Sequence, residues 1–294
     1  MNSPTALRLF IAALCIGAVA HAQDRKKNPS SKFYVADTVG DAQVDTGKEI
    51  DDLTKKSVYN AEGTTLETKS HSTASVVLSN GTGVYIDFDT RLVVRKFEQE
   101  TFRPNRSDVD DEPSISTTHL FVDHGVIGIS TSKMVAGSTM EYDTALASAW
   151  IRGRQAVITS GDNYTVISMV QGDAEVQAGP LDTPHAVTNG RQAIIRPGKN
   201  GEVNAIQVRD IPDGEASEAR IWLNERVLTA DAARKLVYFE VQGRKGDGNI
   251  TLFDGADGSS APSSDSGSDI VGVPVVPVNP PIQPTVSAAN LSSR

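Results

Sequence analysis

Apolar residues between Phe33 and Arg209 come in short runs separated by polar turns, never in the long 3.6-residue stripe of a helix. The clearest runs are FYVADTV, TTLET, TASVVL, GVYIDF, RLVV, LFV, GVIGIS, QAVITS, YTVISMV, AEVQ, QAIIRP and VNAIQV. Their Val, Ile and Thr content suits a pleated surface. Turn signals stand between them at Asn80-Gly81, Ser160-Gly161-Asp162-Asn163, Gln171-Gly172-Asp173, Asn189-Gly190 and Asn200-Gly201. In one run Val84, Ile86 and Phe88 alternate with Tyr85 and Asp87, which predicts a strand with one buried face. In Val166-Ile167-Ser168-Met169-Val170 both faces are apolar, which predicts a central strand covered on both sides. The pattern predicts an all-β fold of stacked short strands, either β-solenoid-like or a β-sandwich, over residues 33–210. Gly63-Thr64-Thr65-Leu66-Glu67 is echoed by Gly137-Ser138-Thr139-Met140-Glu141, and Thr73–Val77 by Leu146–Ile151, a repeat that favours stacked β units. Residues 101–116 are polar and acidic and read as an insertion loop.

The pattern changes after Ile211. Glu215 to Leu228 has helical spacing, with Asp213 as its N-cap and Ala219, Ile221, Trp222, Val227 and Leu228 as apolar members. Thr229-Ala230-Asp231 reads as a second cap before Ala232–Val237, and LVYFEVQ (236–242) as an edge strand. This extension, 211–254, is expected to dock on the β body by burying Trp222, Tyr238 and Phe239. Residues 255–294 are Ser/Gly-rich and then Pro-rich, with no aromatic residue after Phe253. Such a segment buries too little surface to offset its ordering entropy and is expected to be disordered. A spacer is favoured over a docking segment, because no basic residue accompanies its prolines as recognition by a partner would require.

The N-terminus bears on location. Arg8 is followed by an apolar stretch from Leu9 to Val19 and by Ala20-His21-Ala22, the pattern of a cleavable signal peptide over 1–22. The stretch falls short of the roughly 20 residues that span a bilayer. A polar leader, 23–32, follows. The single cysteine, Cys15, lies inside the apolar stretch and leaves with it. The expected location is the periplasm, the cell envelope or the extracellular space, with no membrane span retained after cleavage.

Composition narrows the chemistry. The 294 residues carry a formal charge of −9 and 5% aromatics. An acidic chain without clustered Lys and Arg is a poor nucleic-acid binder. One cysteine excludes a disulfide scaffold and a Cys-rich zinc protein. HExxH, CxxC, the Ca²⁺-loop pattern and the GxSxG elbow are all missing. His119 and His124, five apart on a strand, face opposite ways and do not suit a shared metal. Asp108, Asp110 and Asp111 read as a solvated acidic loop. No cofactor, metal or catalytic residue is expected, and the chain reads as non-enzymatic.

Several segments resemble the FecR domain family, across roughly residues 33 to 197. Gly63–Thr68, Ser72–Leu78 and Asn80-Gly81-Thr82-Gly83-Val84 follow the family's first motif. Leu120-Phe121-Val122-Asp123-His124-Gly125-Val126 follows its L-x-x-G-x-V strand. Asp143–Val157, with Arg152-Gly153, is similar to its TP…RGT segment, although Ala145 replaces the Pro and Arg154 the Thr. Val166 to Val176, containing Gly172, and Gly190–Ile194 complete the series. Family members that regulate sigma factors carry an anti-sigma segment and a membrane helix ahead of this domain. Here a signal-peptide pattern stands in that place, so the chain resembles a stand-alone secreted FecR-domain protein. The resemblance implies stacked β-strands, no catalytic residues and a protein–protein or signalling module, with an outer-membrane receptor or self as partner. Gly63, Asn80, Gly81, Gly125, Arg152, Gly153, Gly172 and Gly190 are the motif positions, with structural or partner-contact roles. A structural matrix component and a carbohydrate or cation binder stand as alternatives.

Overall fold

The computed structural model describes residues 31–102, 110–198, 204–212 and 217–243, with side-chain surroundings up to Val237. Contacts divide the chain into two units, Met1–Ala256 and Asp257–Arg294. The expected signal peptide, most of the leader and the expected disordered tail lie outside the described residues.

Among the described residues the fold is all-β with one helix. The chain alternates between two sheets. β1 (Lys32–Val39) opens sheet 1; β2 (Ala42–Asp45) and β3 (Ile50–Asp52) form a hairpin in sheet 2. β4 (Val58–Asn60) returns to sheet 1, β5 (Thr65–Thr68) to sheet 2, and the hairpin of β6 (Thr73–Leu78) and β7 (Gly83–Ile86) to sheet 1. β8 (Thr90–Gln99) lies in sheet 2, and β9 (Ser116–Ser130) belongs to both sheets. β10 (Thr139–Asp143) and β11 (Ser148–Ile151) follow in sheet 2, then β12 (Gln155–Gly161) and β13 (Tyr164–Gln171) in sheet 1. β14 (Ala174–Gln177) and β15 (His185–Val187) close sheet 2; β16 (Arg191–Arg196) and β17 (Ala205–Asp210) close sheet 1. Across sheet 1 the order is β4-β1-β6-β7-β9-β12-β13-β16-β17, and across sheet 2 it is β3-β2-β5-β8-β9-β10-β11-β14-β15. Pairing is antiparallel except between β9 and β10.

LFV and GVIGIS, which read as two strands, form one. The N-terminal part of β9 pairs β8 and β10, and its C-terminal part pairs β7 and β12. The change of sheet occurs at Gly125 (φ +96), where a Cβ would stand 2.2 Å from Thr90 Oγ1. Only glycine combines that backbone with that space.

One core fills the space between the sheets and decides for the sandwich. Phe33, Val35, Ile86, Ile127, Ile158 and Ile167 of sheet 1 meet Leu66, Leu92, Leu120, Val122, Tyr142 and Val176 of sheet 2. Each aliphatic side chain of this kind contributes about 1.5–3 kcal/mol on burial. The β7 alternation holds for Val84 and Ile86 but stops there: Asp87 is buried and Phe88 is 53% exposed. Asp87 stays on the face opposite Val84 and Ile86 and is buried there by Arg226. The internal repeat holds in its first half only. Leu66 and Met140 are buried at equivalent places in sheet 2, but β6 then enters sheet 1 whereas β11 stays in sheet 2.

The helix α1 (Glu218–Gly243) is continuous and lies on the outer face of sheet 1. The expected cap at Asp213 lies outside the described residues; Ser217 Oγ accepts from the Arg220 amide at 3.4 Å. The expected break at Thr229–Asp231 does not occur. Thr229 Oγ1 donates back to the Glu225 carbonyl at 2.7 Å, and Asp231 holds Ser130, Arg234 and Lys235 instead of a free amide. The run 236–242 is therefore helix, not an edge strand. Docking uses Leu223, Val227, Ala230, Ala233 and Val237. Trp222 is not the anchor: it is 36% exposed, with the Arg226 guanidinium 3.6 Å from its ring centre. Val157 and Val170 pack under Leu223 and Val227, while Ile167 and Met169 point into the core. The doubly apolar run of β13 is thus covered on both sides.

Arg226, Ala230 and Arg234 form the inward stripe of α1 at i, i+4, i+8. Arg226 pairs with buried Asp87. Arg234 reaches Ser132 Oγ, Asp231 and Asp110 at 3.2 Å. Between them the helix backbone rests on Gly83 and Gly128.

Candidate functional site

Sheet 2 turns its outer face away from α1. On β9, Leu120 and Val122 are buried, so His119 and Phe121 face outward; on β10, Met140 and Tyr142 are buried, so Glu141 and Asp143 face outward. The parallel register sets His119 beside Glu141 and Phe121 beside Asp143. Glu141 is paired with Trp150 of β11, and Trp150 with Glu175 of β14. A row His119, Glu141, Trp150, Glu175 therefore crosses four strands.

Asp143 organises one end of this row. Its Oδ2 lies 2.7 Å from His119 Nε2 and 2.6 Å from Arg95 Nη1, and its Oδ1 accepts from Ser148 Oγ at 2.6 Å. Arg95 sits in a register shift of β8 between Val94 and Lys96, and its guanidinium lies 3.9 Å from the Phe121 ring centre. Donor atoms of His119, Glu141 and Asp143 lie within 4.8 Å of one another. Beyond Trp150 the face dips into a groove of about 350 Å³, lined by Met134, Trp150, Arg152, Glu175 and Pro184. On the inner face of β10, Tyr142 is fully buried and its hydroxyl has no partner among the described residues; burial pushes its phenol far above the ordinary range.

The motif positions read from the sequence are spread through the sandwich. Gly153 and Gly172 are brought together: a Cβ on Gly172 would stand 2.2 Å from Gly153 Cα. They lie where the links β11–β12 and β13–β14 pass between the sheets, held by Arg152 N to Asp173 O at 2.8 Å and Arg154 N to Gln171 O at 2.9 Å. Arg152 itself is exposed and lines the groove. Asn80 is buried; its Nδ2 donates to Ser116 Oγ at 3.0 Å and Thr118 Oγ1 at 3.3 Å, and its Oδ1 accepts from Thr82 N. Gly81 follows it in the β6–β7 turn against Ser132, Gly125 marks the change of sheet in β9, and Gly63 and Gly190 sit in open turns. Seven of these eight positions shape the backbone; Arg152 alone reaches the candidate surface.

Sequence reasoning missed the His119–Glu141–Asp143 cluster. His119 and His124 indeed do not meet: His124 lies near Asp123, at 3.5 Å, outside the cluster. A signal was present in Glu141-x-Asp143, since i and i+2 share a face of a strand. Its partner was hidden, because only the parallel β9–β10 pairing brings His119 alongside.

No family model matches the chain. A search of curated proteins also finds no match. Among solved structures, two crystal structures of a candidate anti-sigma factor from Parabacteroides distasonis match with a TM-score of 0.38 each, at 16% and 17% identity. Each match covers 54% of this chain and 64% of the other, so the chain spans less than two thirds of their length.

Proposed function

We propose that this chain is a non-enzymatic protein-binding module of the FecR-domain type, exported to the cell envelope or beyond, where it serves signalling. One observation carries the binding surface: α1 covers the outer face of sheet 1, while sheet 2 keeps an outward face with a groove and a row of charged and aromatic residues. A groove lined by Trp150, Arg152 and Glu175 suits a protein partner, since aromatic and Arg side chains dominate binding energy at such contacts. The FecR-like motifs and the signal-peptide pattern support the family and the export. No described helix is long and apolar enough to cross a membrane.

The test is photocrosslinking in the native host from position 150, in the groove, and from position 228, on the solvent side of α1. The envelope and the medium are analysed separately, and the N-terminus of the exported chain is sequenced. The reading expects one protein captured from position 150 alone and an N-terminus at Gln23. Capture of only the chain itself supports a self-assembling structural component instead.

A further inference from the structure

We propose that His119, Glu141 and Asp143 form a binding site for one divalent transition-metal ion of the zinc class. The inference goes beyond protein binding and stands on its own geometry.

The donor set comes from two adjacent strands. Glu141 and Asp143 share the outer face of β10, and His119 stands beside Glu141 on β9 in the parallel register. Their donor atoms lie within 4.8 Å of one another and all three residues are half-buried. Small side-chain rotations bring them onto an ion that takes imidazole N and carboxylate O at about 2.0–2.2 Å. One nitrogen and two carboxylate oxygens match zinc and its neighbours better than Ca²⁺ or Mg²⁺, which take oxygen ligands. Three protein ligands on an outward face leave a further position for water or for a ligand supplied by a partner.

The surroundings fit ligation. Ser148 Oγ donates to Asp143 Oδ1, so the carboxylate is oriented from outside the site. Arg95 is itself held over Phe121. The ion replaces the hydrogen bond between His119 Nε2 and Asp143 Oδ2, with the imidazole proton on Nδ1 so that Nε2 offers its lone pair. Arg95 shares Asp143 with the ion, so its charge opposes binding. Its removal tightens the site while leaving all three ligands in place.

The experiment is calorimetric titration of the full chain with Zn²⁺ alone, and titration with Co²⁺ followed by visible absorption. The wild type takes one Zn²⁺ per chain and gives Co²⁺ bands of a low-symmetry nitrogen–oxygen site. Glu141→Gln and His119→Gln weaken binding at least tenfold, Arg95→Leu strengthens it, and His124→Ala and His185→Ala leave it unchanged. Zn²⁺ raises the melting temperature of the wild type and not that of Glu141→Gln. Absence of saturable binding overturns the proposal. So does binding that survives Glu141→Gln, or that is lost with His185→Ala, which marks the Asp182–His185 pair instead. Should Glu141→Gln fail to fold, Co²⁺ bands that change in His119→Gln support the site and unchanged bands overturn it.

Discussion

The carbonyl oxygen of Ala230 lies 2.1 Å from the point where a Cβ on Gly83 would stand. Helix and sheet thus meet backbone to backbone, and the neighbouring Gly128 receives Arg226 in the same way, at 2.7 Å. Neither glycine has a positive φ, so the requirement is for space alone.

Gly83→Ala and Gly128→Ala are each expected to destabilise the protein by about 2–3 kcal/mol, as overpacking against a rigid backbone does. Chemical denaturation measures the loss. A change within about 0.5 kcal/mol, ordinary for an exposed position, places the helix farther from the sheet.

Removing Arg226 strands a buried carboxylate. Arg226→Met is expected to cost about 3–5 kcal/mol, the range for breaking a buried pair by one partner. Asp87 also accepts from Tyr85 Oη and the Phe88 amide, so Asp87→Asn costs too. The double variant is expected to cost much less than the sum. Simple additivity in the double-mutant cycle shows that the two side chains do not interact.

Trp222 packs on Arg226 at the rim of the interface, not in the core. Trp222→Ala is expected to cost about 1 kcal/mol, the scale of an exposed cation–π contact. A loss of about 3–5 kcal/mol, as for a buried aromatic residue, moves the ring inside.

Asp231 ties α1 to β9 and gives docking a pH dependence. Burial raises its pKa, but Lys235, Arg234 and Ser130 outweigh that, and the net direction is downward. A carboxylate with a depressed folded pKa contributes stability above its unfolded pKa of about 3.9. That contribution is lost as the pH falls through the lower folded value. Melting temperatures of the wild type and Asp231→Asn are expected to differ at neutral pH and to converge at a pH well below the ordinary carboxylate range. A constant difference down to that pH assigns the variant's effect to something other than charge.

The sequence pattern made the strong strands legible. β6, β13 and β16 carry Val and Ile runs that the core demands, and each has its run in the sequence. The hairpin β2–β3 has no such run: β3 reads Ile-Asp-Asp and all three residues are exposed, so nothing in its side chains records the pairing. β15, another three-residue edge strand, buries Val187 alone, which is too little to make a run. The helix was legible as a helix but not in its length. Asp231 has the side chain of a cap, and Ser130, 101 residues away, joins Arg234 and Lys235 in turning it to another use. Glycine positions were read as motif members, and the structure gives their reason at Gly153 and Gly172, where two links cross. The meeting of His119 with Glu141 and Asp143 was hidden because it depends on the parallel β9–β10 pairing.

β9 serves as a shared ruler for both sheets. A residue added or lost between Leu120 and Gly128 would shift its register against β8 and β10 on one side of Gly125, or against β7 and β12 on the other. Because side chains alternate, every partner in that half would then face the wrong way. A residue inserted at a turn is absorbed locally instead. Within this strand, the distance from the groove face of sheet 2 to the helix face of sheet 1 is counted out residue by residue and tolerates no change.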